Sequence, residues 1–167
     1  MELSDKKEFL VLGIDPGLRT SGYGLVSGSN GQFILLEAGV VCPAIKQPLA
    51  SRLGELFINM RDMAHEFKPH AIAIEELYSK YPFARSGILL AQARGALCAA
   101  GAAAGIAVFG YTQTQARKTL TGNGRASRMQ IDEAVRRILK IRKLPSSSDA
   151  IDALSFALCH LHVGEGE

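Results

Sequence analysis

The first third of the chain alternates short apolar runs with turn signals, a pattern that predicts β-strands. The runs cover residues 9–14, 20–27 and 32–41, and they are rich in the aliphatic and aromatic residues that suit strands. Residues 27–31, Ser-Gly-Ser-Asn-Gly, give a strong turn signal between the second and third runs. We therefore expect the chain to begin with an antiparallel meander of three strands.

Beyond residue 48 the apolar positions follow helical spacing, with further short strands between the helices. Apolar residues recur every three or four positions from Leu49 to Phe67, which predicts an amphipathic helix. Ser127 and Gln130 form the signature of a capping box, which marks the start of another helix. The other expected elements are strands at 71–74 and 106–109 and helices at 86–104, 112–120 and 149–162. Helices and strands that alternate after a meander predict an α/β fold, with a mixed five-stranded sheet flanked by helices.

Composition is typical of one folded domain. The chain has 167 residues, of which 47% are hydrophobic and 21% charged, so a sizeable core is expected and disorder is not. No apolar stretch resembles a membrane span, and the polar start of the chain shows no secretory signal. Three widely spaced cysteines predict buried thiols in a reducing compartment, and we expect a cytoplasmic protein.

Charge is distributed unevenly along the chain. Residues 117–143 contain nine basic and two acidic side chains, a net charge of +7. Because the whole chain carries +3, the remainder carries −4. The basic segment predicts either a surface that binds a polyanion or a helix with a solvated basic face, and charge alone favours neither.

Four carboxylates occupy positions from which they could converge. Asp15 and Glu75 each end an apolar run, while Asp149 and Asp152 have the i, i+3 spacing of one helix face. Singly, each has a structural explanation, as a turn residue, a solvated strand end or a helix-cap acid. Together they would repel one another unless divalent cations offset the charge, and oxygen ligands suit Mg²⁺ or Mn²⁺. Two such ions can promote phosphodiester hydrolysis, so the pattern predicts a metal-dependent site for a phosphodiester substrate.

Five motifs in this order resemble the RuvC-type Holliday-junction resolvases over about residues 8–163. The motifs are Leu-Gly-Ile-Asp-Pro-Gly at 12–17, Gly-Tyr-Gly at 22–24, Ala-Ile-Glu-Glu at 73–76, Gln-Ala-Arg-Gly at 92–95 and Ser-Asp-Ala-Ile-Asp-Ala-Leu at 148–154. The resemblance implies an RNase H-like fold in a single domain spanning 1–167, assembled as a homodimer. It also implies paired, Mg²⁺-dependent nicks at a four-way DNA junction in recombination and repair, with 5′-phosphate products. A branch-migration motor complex is an implied partner.

The resemblance also assigns roles to individual residues. It implies that Asp15, Glu75, Asp149 and Asp152 are the catalytic acids and the ligands of two metal ions. Where the family places lysines near the scissile phosphate, this chain has Arg128 and either Arg117 or Lys118. Tyr78 matches an aromatic residue that stacks on an unpaired base, although a tyrosine packed over a loop is the alternative. The predicted DNA-binding residues are Tyr78, Arg117, Lys118, Arg125 and Arg128.

Two other functions fit the same residues. One is an RNA-processing nuclease of the same superfamily, which would act on structured RNA rather than on junction DNA. The other is a junction-binding module that keeps the fold without the chemistry, although the complete acid set argues against it. The loop at 79–85 is more aromatic and basic than the family's usual polar stretch, so the preferred cleavage sequence does not follow from the resemblance.

Overall fold

The computed structural model describes residues 8–77 and 84–164. The strands are β1 (Phe9–Asp15), β2 (Ser21–Ser29), β3 (Gln32–Val41), β4 (Ala71–Glu75) and β5 (Ala107–Tyr111). The helices are α1 (Leu49–Phe67), α2 (Ala84–Ala103), α3 (Gln113–Thr121), α4 (Arg128–Ile138) and α5 (Ser148–Gly164). All ten elements expected from the sequence are present, with ends that differ by at most two residues.

The five strands form one mixed sheet in the order β3-β2-β1-β4-β5. β1, β2 and β3 pair antiparallel, as the predicted meander requires, and the turn between β2 and β3 places Asn30 and Gly31 at positive φ. β4 then pairs parallel to β1, and β5 parallel to β4. The predicted α/β architecture is therefore confirmed.

Alternating side chains of the sheet feed two apolar cores, one on each face. On one face Leu12, Ile14, Ile72 and Ile74 pack with buried residues of α1 and α2. On the other face Val11, Ala71 and Ala73 belong to a core built with α3, α4 and α5. Helix α5 is the central helix of that face, since every residue from 153 to 161 is buried. None of the helices in the described ranges is long and apolar enough to cross a membrane.

Glycines let α5 approach the sheet closely. A Cβ atom at Gly13 would stand 1.9 Å from the carbonyl oxygen of Ala153, and one at Gly22 would stand 1.9 Å from the carbonyl oxygen of Asp149. Both oxygens belong to backbone that cannot rotate away as a side chain can. The glycines in the first two sequence motifs therefore set where α5 begins over the sheet.

Candidate active site

The parallel pairing of β1 and β4 places two acids side by side. Ile14 pairs with Ile74, so the next residues, Asp15 and Glu75, leave the sheet at the same edge. Both side chains are partly buried, and a hydrogen bond joins their carboxyl groups. Burial and the negative charge of Glu75 raise the pKa of Asp15 to about 9, so Asp15 keeps its proton and donates a hydrogen bond to the Glu75 carboxylate.

The start of α5 brings the other two acids to the same edge. Gly22, against which the Asp149 carbonyl packs, is the strand partner of Asp15 in the β1–β2 pair. The charges of Asp152 and Asp149 contribute to the raised pKa of Asp15, which places all four carboxylates within electrostatic reach of one another. Burial also raises the pKa of Asp152. The four acids are therefore neighbours at one edge of the sheet, and their role as metal ligands stays a prediction.

Arg128, at the start of α4, lies against the acids rather than in open solvent. Its guanidinium contacts Asp152 at 2.7 Å and Asp132 at 2.8 Å, and it donates to the Ser148 carbonyl oxygen at 3.0 Å. Its positive charge opposes the upward shift of the Asp152 pKa, and the charge of Arg117 acts in the same direction. These two predicted DNA-binding residues therefore stand beside the acids.

The acid cluster has the donor chemistry that a hard divalent cation requires. Within residues 8–77 and 84–164, no three Asp, Glu, His or Cys side chains already stand as ligands around one point. Asp15 is hydrogen-bonded to Glu75, and Asp152 is paired with Arg128. In this cluster a proton and a guanidinium offset part of the negative charge. A divalent cation could do the same, because carboxylate oxygens are suitable ligands for it.

Two polar residues that support Glu75 were not assigned a role from the sequence. The side-chain amide of Gln113, the first residue of α3, hydrogen-bonds the Glu75 carboxylate. Arg94 of α2 donates from Nε to the Glu75 carbonyl oxygen at 2.8 Å. The motif at 92–95 contained Arg94, but spacing alone did not connect it with the acids.

The other predicted DNA-binding residues lie farther along the basic segment. Lys118 is exposed on α3, and Arg125 is exposed in the connection between α3 and α4. The Arg125 amide donates to the Asn123 side chain at 2.9 Å, an interaction that orders this connection. Tyr78 falls outside the described residues, so its role stays a prediction.

An open groove of about 660 Å³ leads to the acids between the turn after β1, α1 and the start of α2. Arg19, Arg52 and Ser86 line it, and Asp149 stands at one end. Arg52 donates to the Leu18 carbonyl oxygen at 2.6 Å, which holds the turn that follows Asp15. The groove is wide, partly basic and continuous with the acid site, so it can accept an extended polyanion.

Comparison with known proteins identifies the family. Residues 11–160 match the family model described as crossover junction endodeoxyribonuclease RuvC. This chain belongs to the RuvC family. A RuvC from Rhodopirellula baltica is 40% identical over 152 residues, which are 89% of this chain and 84% of that protein. Another from Syntrophomonas wolfei is 37% identical and covers 91% of this chain and 88% of its own.

Solved RuvC structures confirm the RNase H-like fold expected from the resemblance. The Thermus thermophilus RuvC structure superposes with a TM-score of 0.85 at 31% identity, covering 95% of this chain and 96% of that one. A T. thermophilus RuvC in complex with a Holliday junction substrate also gives a TM-score of 0.85, at 29% identity and the same coverage. The sequence and structure comparisons thus agree on the family and the fold.

Proposed function

We propose that this protein is a crossover junction endodeoxyribonuclease that resolves four-way (Holliday) DNA junctions. The observation that carries the proposal is the convergence of Asp15, Glu75, Asp149 and Asp152 at one sheet edge, in a chain of the RuvC family. A RuvC of nearly the same fold has been solved with a Holliday junction substrate. A solvated set of unrelated acids would not show the mutual charge effects that raise the pKa of Asp15.

The four acids would hold the metal, with Mg²⁺ as the expected ion and Mn²⁺ as the alternative. A bound divalent cation supplies charge stabilisation at the reacting phosphate and favours attack by water. Asp15 is the central ligand in this proposal, because the charges of the other three acids all act on it. Gln113 would hold the carboxylate of Glu75, and Arg94 its carbonyl oxygen.

Basic residues beside the acids would hold the DNA backbone. Arg128 and Arg117 would contact the phosphate at the cut, and the support for this role is that the charges of both act on Asp152. A guanidinium binds phosphate in a bidentate manner and stays charged, so these residues position the phosphate rather than donate a proton. Lys118 and Arg125 would extend the contact along the same strand. Phosphate contacts of this kind fix register without reading sequence.

The protein would act as a homodimer and leave 5′-phosphate ends. A homodimer would present two acid sites, so that two strands of like polarity are nicked and two duplexes are released. Attack in line on the phosphodiester leaves a 5′-phosphate and a 3′-hydroxyl. A branch-migration motor is the expected partner, because it would move the junction to sites where cutting is favoured.

The test is incubation with a synthetic mobile four-way junction, with and without Mg²⁺, read at nucleotide resolution. We expect paired nicks with 5′-phosphate ends only when Mg²⁺ is present. Asp15→Asn should abolish cutting and leave junction binding intact. Asp62→Asn is the matched control, because Asp62 is an exposed acid of α1 that pairs with Arg61 and lies apart from the acid site.

Three outcomes would contradict the proposal. Full cutting by Asp15→Asn would remove that carboxylate from the chemistry. Products from structured RNA, with none from the junction, would instead indicate an RNA-processing nuclease. Junction binding without any Mg²⁺-dependent product would indicate a binding module.

A further inference from the structure

Arg94 makes two contacts at the point where the chain leaves β4. Its Nε donates to the carbonyl oxygen of Glu75 at 2.8 Å, and its Nη2 pairs with the Glu76 carboxylate at 2.8 Å. One planar group thus bridges the backbone of a proposed metal ligand and the side chain of the next residue. The Arg94 side chain is 23% exposed and that of Glu76 is 43% exposed, so the contact with the Glu75 carbonyl is the better shielded of the two.

Both ends of this bridge are fixed by the fold. On the helix side, the neighbours Ala93 and Leu97 are buried in the core that α2 shares with the sheet. On the strand side, the Glu76 amide donates to the Tyr111 carbonyl oxygen at 2.7 Å, which ties the exit of β4 to β5. The guanidinium therefore connects a helix packed in the core to a strand end that is bonded to its neighbour.

The sheet leaves space for the ion pair beside Arg94. A Cβ atom at Gly110 of β5 would stand 2.0 Å from the Glu76 carboxylate and 3.2 Å from Arg94 Nη2. Glycine at this position allows the carboxylate to lie over the strand, where Arg94 reaches it. Any larger side chain at residue 110 would push the carboxylate of Glu76 aside.

We propose that Arg94 is a positioning residue, which orients the Glu75 carboxylate for metal binding by holding its backbone carbonyl and Glu76 with one guanidinium fork. The inference rests on the proposed function, because it takes Glu75 as a metal ligand. Partners of this kind orient the groups that bind the metal, and their loss lowers metal affinity or activity by about 10- to 100-fold. Arg94 itself touches neither metal nor DNA in this scheme.

Arg94→Lys is the informative substitution. Lysine keeps the charge but has no planar fork, so it cannot hold the Glu75 carbonyl and the Glu76 carboxylate together. We expect Arg94→Lys to lower the maximal cleavage rate by about 10-fold or more, with junction binding unchanged. Mn²⁺ binding measured by calorimetry, without DNA, should weaken in parallel. Arg61→Lys is the matched control, since Arg61 forms an exposed pair with Asp62 on α1.

Gly110→Ala gives a second test that changes no charge. It displaces the Glu76 carboxylate from Arg94 and leaves the bond from Nε to the Glu75 carbonyl in place. We expect a smaller loss of cleavage rate than for Arg94→Lys, and a smaller loss of Mn²⁺ affinity. If Arg94→Lys fails to fold, Gly110→Ala can still be measured for cleavage rate and Mn²⁺ affinity.

The outcomes separate this inference from the proposed function. Wild-type cleavage and Mn²⁺ affinity in Arg94→Lys would overturn the positioning role, as would a loss confined to junction affinity. If the wild-type protein cuts no junction, the proposed function is wrong. Even then, the difference in Mn²⁺ affinity between the wild type and Arg94→Lys would still test the role of Arg94.

Discussion

The two halves of the acid site accommodate their negative charge in different ways. Asp15 and Glu75, at the ends of adjacent strands, share a proton, and the pKa of Asp15 is raised to about 9 by burial and by the neighbouring charges. Asp152, on α5, has a guanidinium partner in Arg128. The strand acids therefore hold a proton, whereas Asp152 has a cation from α4 that opposes the upward shift of its pKa. A divalent cation would replace both the proton and the guanidinium.

The largest expected effect concerns the proton on the strand acids. Asp15 has an ordinary pKa of 3.8 when unfolded and about 9 when folded, so between these values the native state binds more protons. Stability of the metal-free protein should therefore fall as pH rises from about 4 to about 9. Asp15→Asn should flatten this dependence and raise the free energy of unfolding at pH 8 by about 2 kcal/mol or more.

Urea unfolding in EDTA across this pH range measures the effect. Asp152→Asn is the comparison variant, and it should give a smaller gain, because Arg128 already offsets part of the burial of Asp152. Equal slopes for wild type and Asp15→Asn would show that the strand acids do not share a proton. Added Mg²⁺ should stabilise the wild type more than Asp15→Asn, since binding to the native state adds to its stability.

The next effect concerns the contact between Gly22 and the Asp149 carbonyl, which joins the strand acids to the helix acids. Gly22→Ala would place a methyl group 1.9 Å from the Asp149 carbonyl oxygen, which only a shift of α5 could relieve. We expect a loss of about 1–3 kcal/mol in the free energy of unfolding, together with reduced junction cleavage. The control is Gly54→Ala in α1, where a Cβ meets no atom within 4 Å. It should be neutral or slightly stabilising, because alanine suits a helix better than glycine does.

A smaller effect is expected from the cation on the helix acids. Arg128→Gln removes the partner of Asp152, whose side chain is 21% exposed, and should cost about 1 kcal/mol in EDTA. Mg²⁺ should reduce this cost, since a cation at the acids takes over the role of the guanidinium. Arg136→Gln is the matched control on the same helix, because Arg136 pairs with the exposed Glu133. An equal cost for both variants would show that Arg128 acts only as a surface residue.

The sequence predicted the acids well because their positions depend on local rules. An apolar run that ends on Asp15 or Glu75 places the acid at a strand end, and the i, i+3 spacing of Asp149 and Asp152 keeps them on one helix face. The capping box of Ser127 and Gln130 is likewise a local pattern, and the structure confirms it. Such features need no knowledge of tertiary packing.

The supporting residues could not be predicted in this way. Arg94 lies 19 residues from Glu75 in sequence, and their contact depends on how α2 is rotated against the sheet. That helix is rich in alanine and glycine on all sides, so its sequence does not show which face is buried. Gln113 reaches Glu75 only because β5 lies next to β4, a pairing that follows from the whole topology.

The smallest effects should come from the helix caps. Each cap supports one half of the acid site, so its loss should affect that half alone. Ser127 caps α4, which begins at Arg128, and Thr112 caps α3, which begins at Gln113. Replacement of either residue by alanine should cost about 0.5 kcal/mol and loosen the first turn. Arg128 contacts Asp152, so Ser127→Ala should weaken this ion pair and reduce the dependence of the free energy of unfolding on salt concentration. Gln113 contacts Glu75, so the cap of α3 bears on the strand acids. Thr112→Ala should instead alter the pH dependence set by the strand acids. Ser127→Asp and Thr112→Asp are the controls, because aspartate keeps a capping oxygen and should preserve the cap. If these variants lose as much free energy of unfolding as the alanine variants, the effect does not come from the cap.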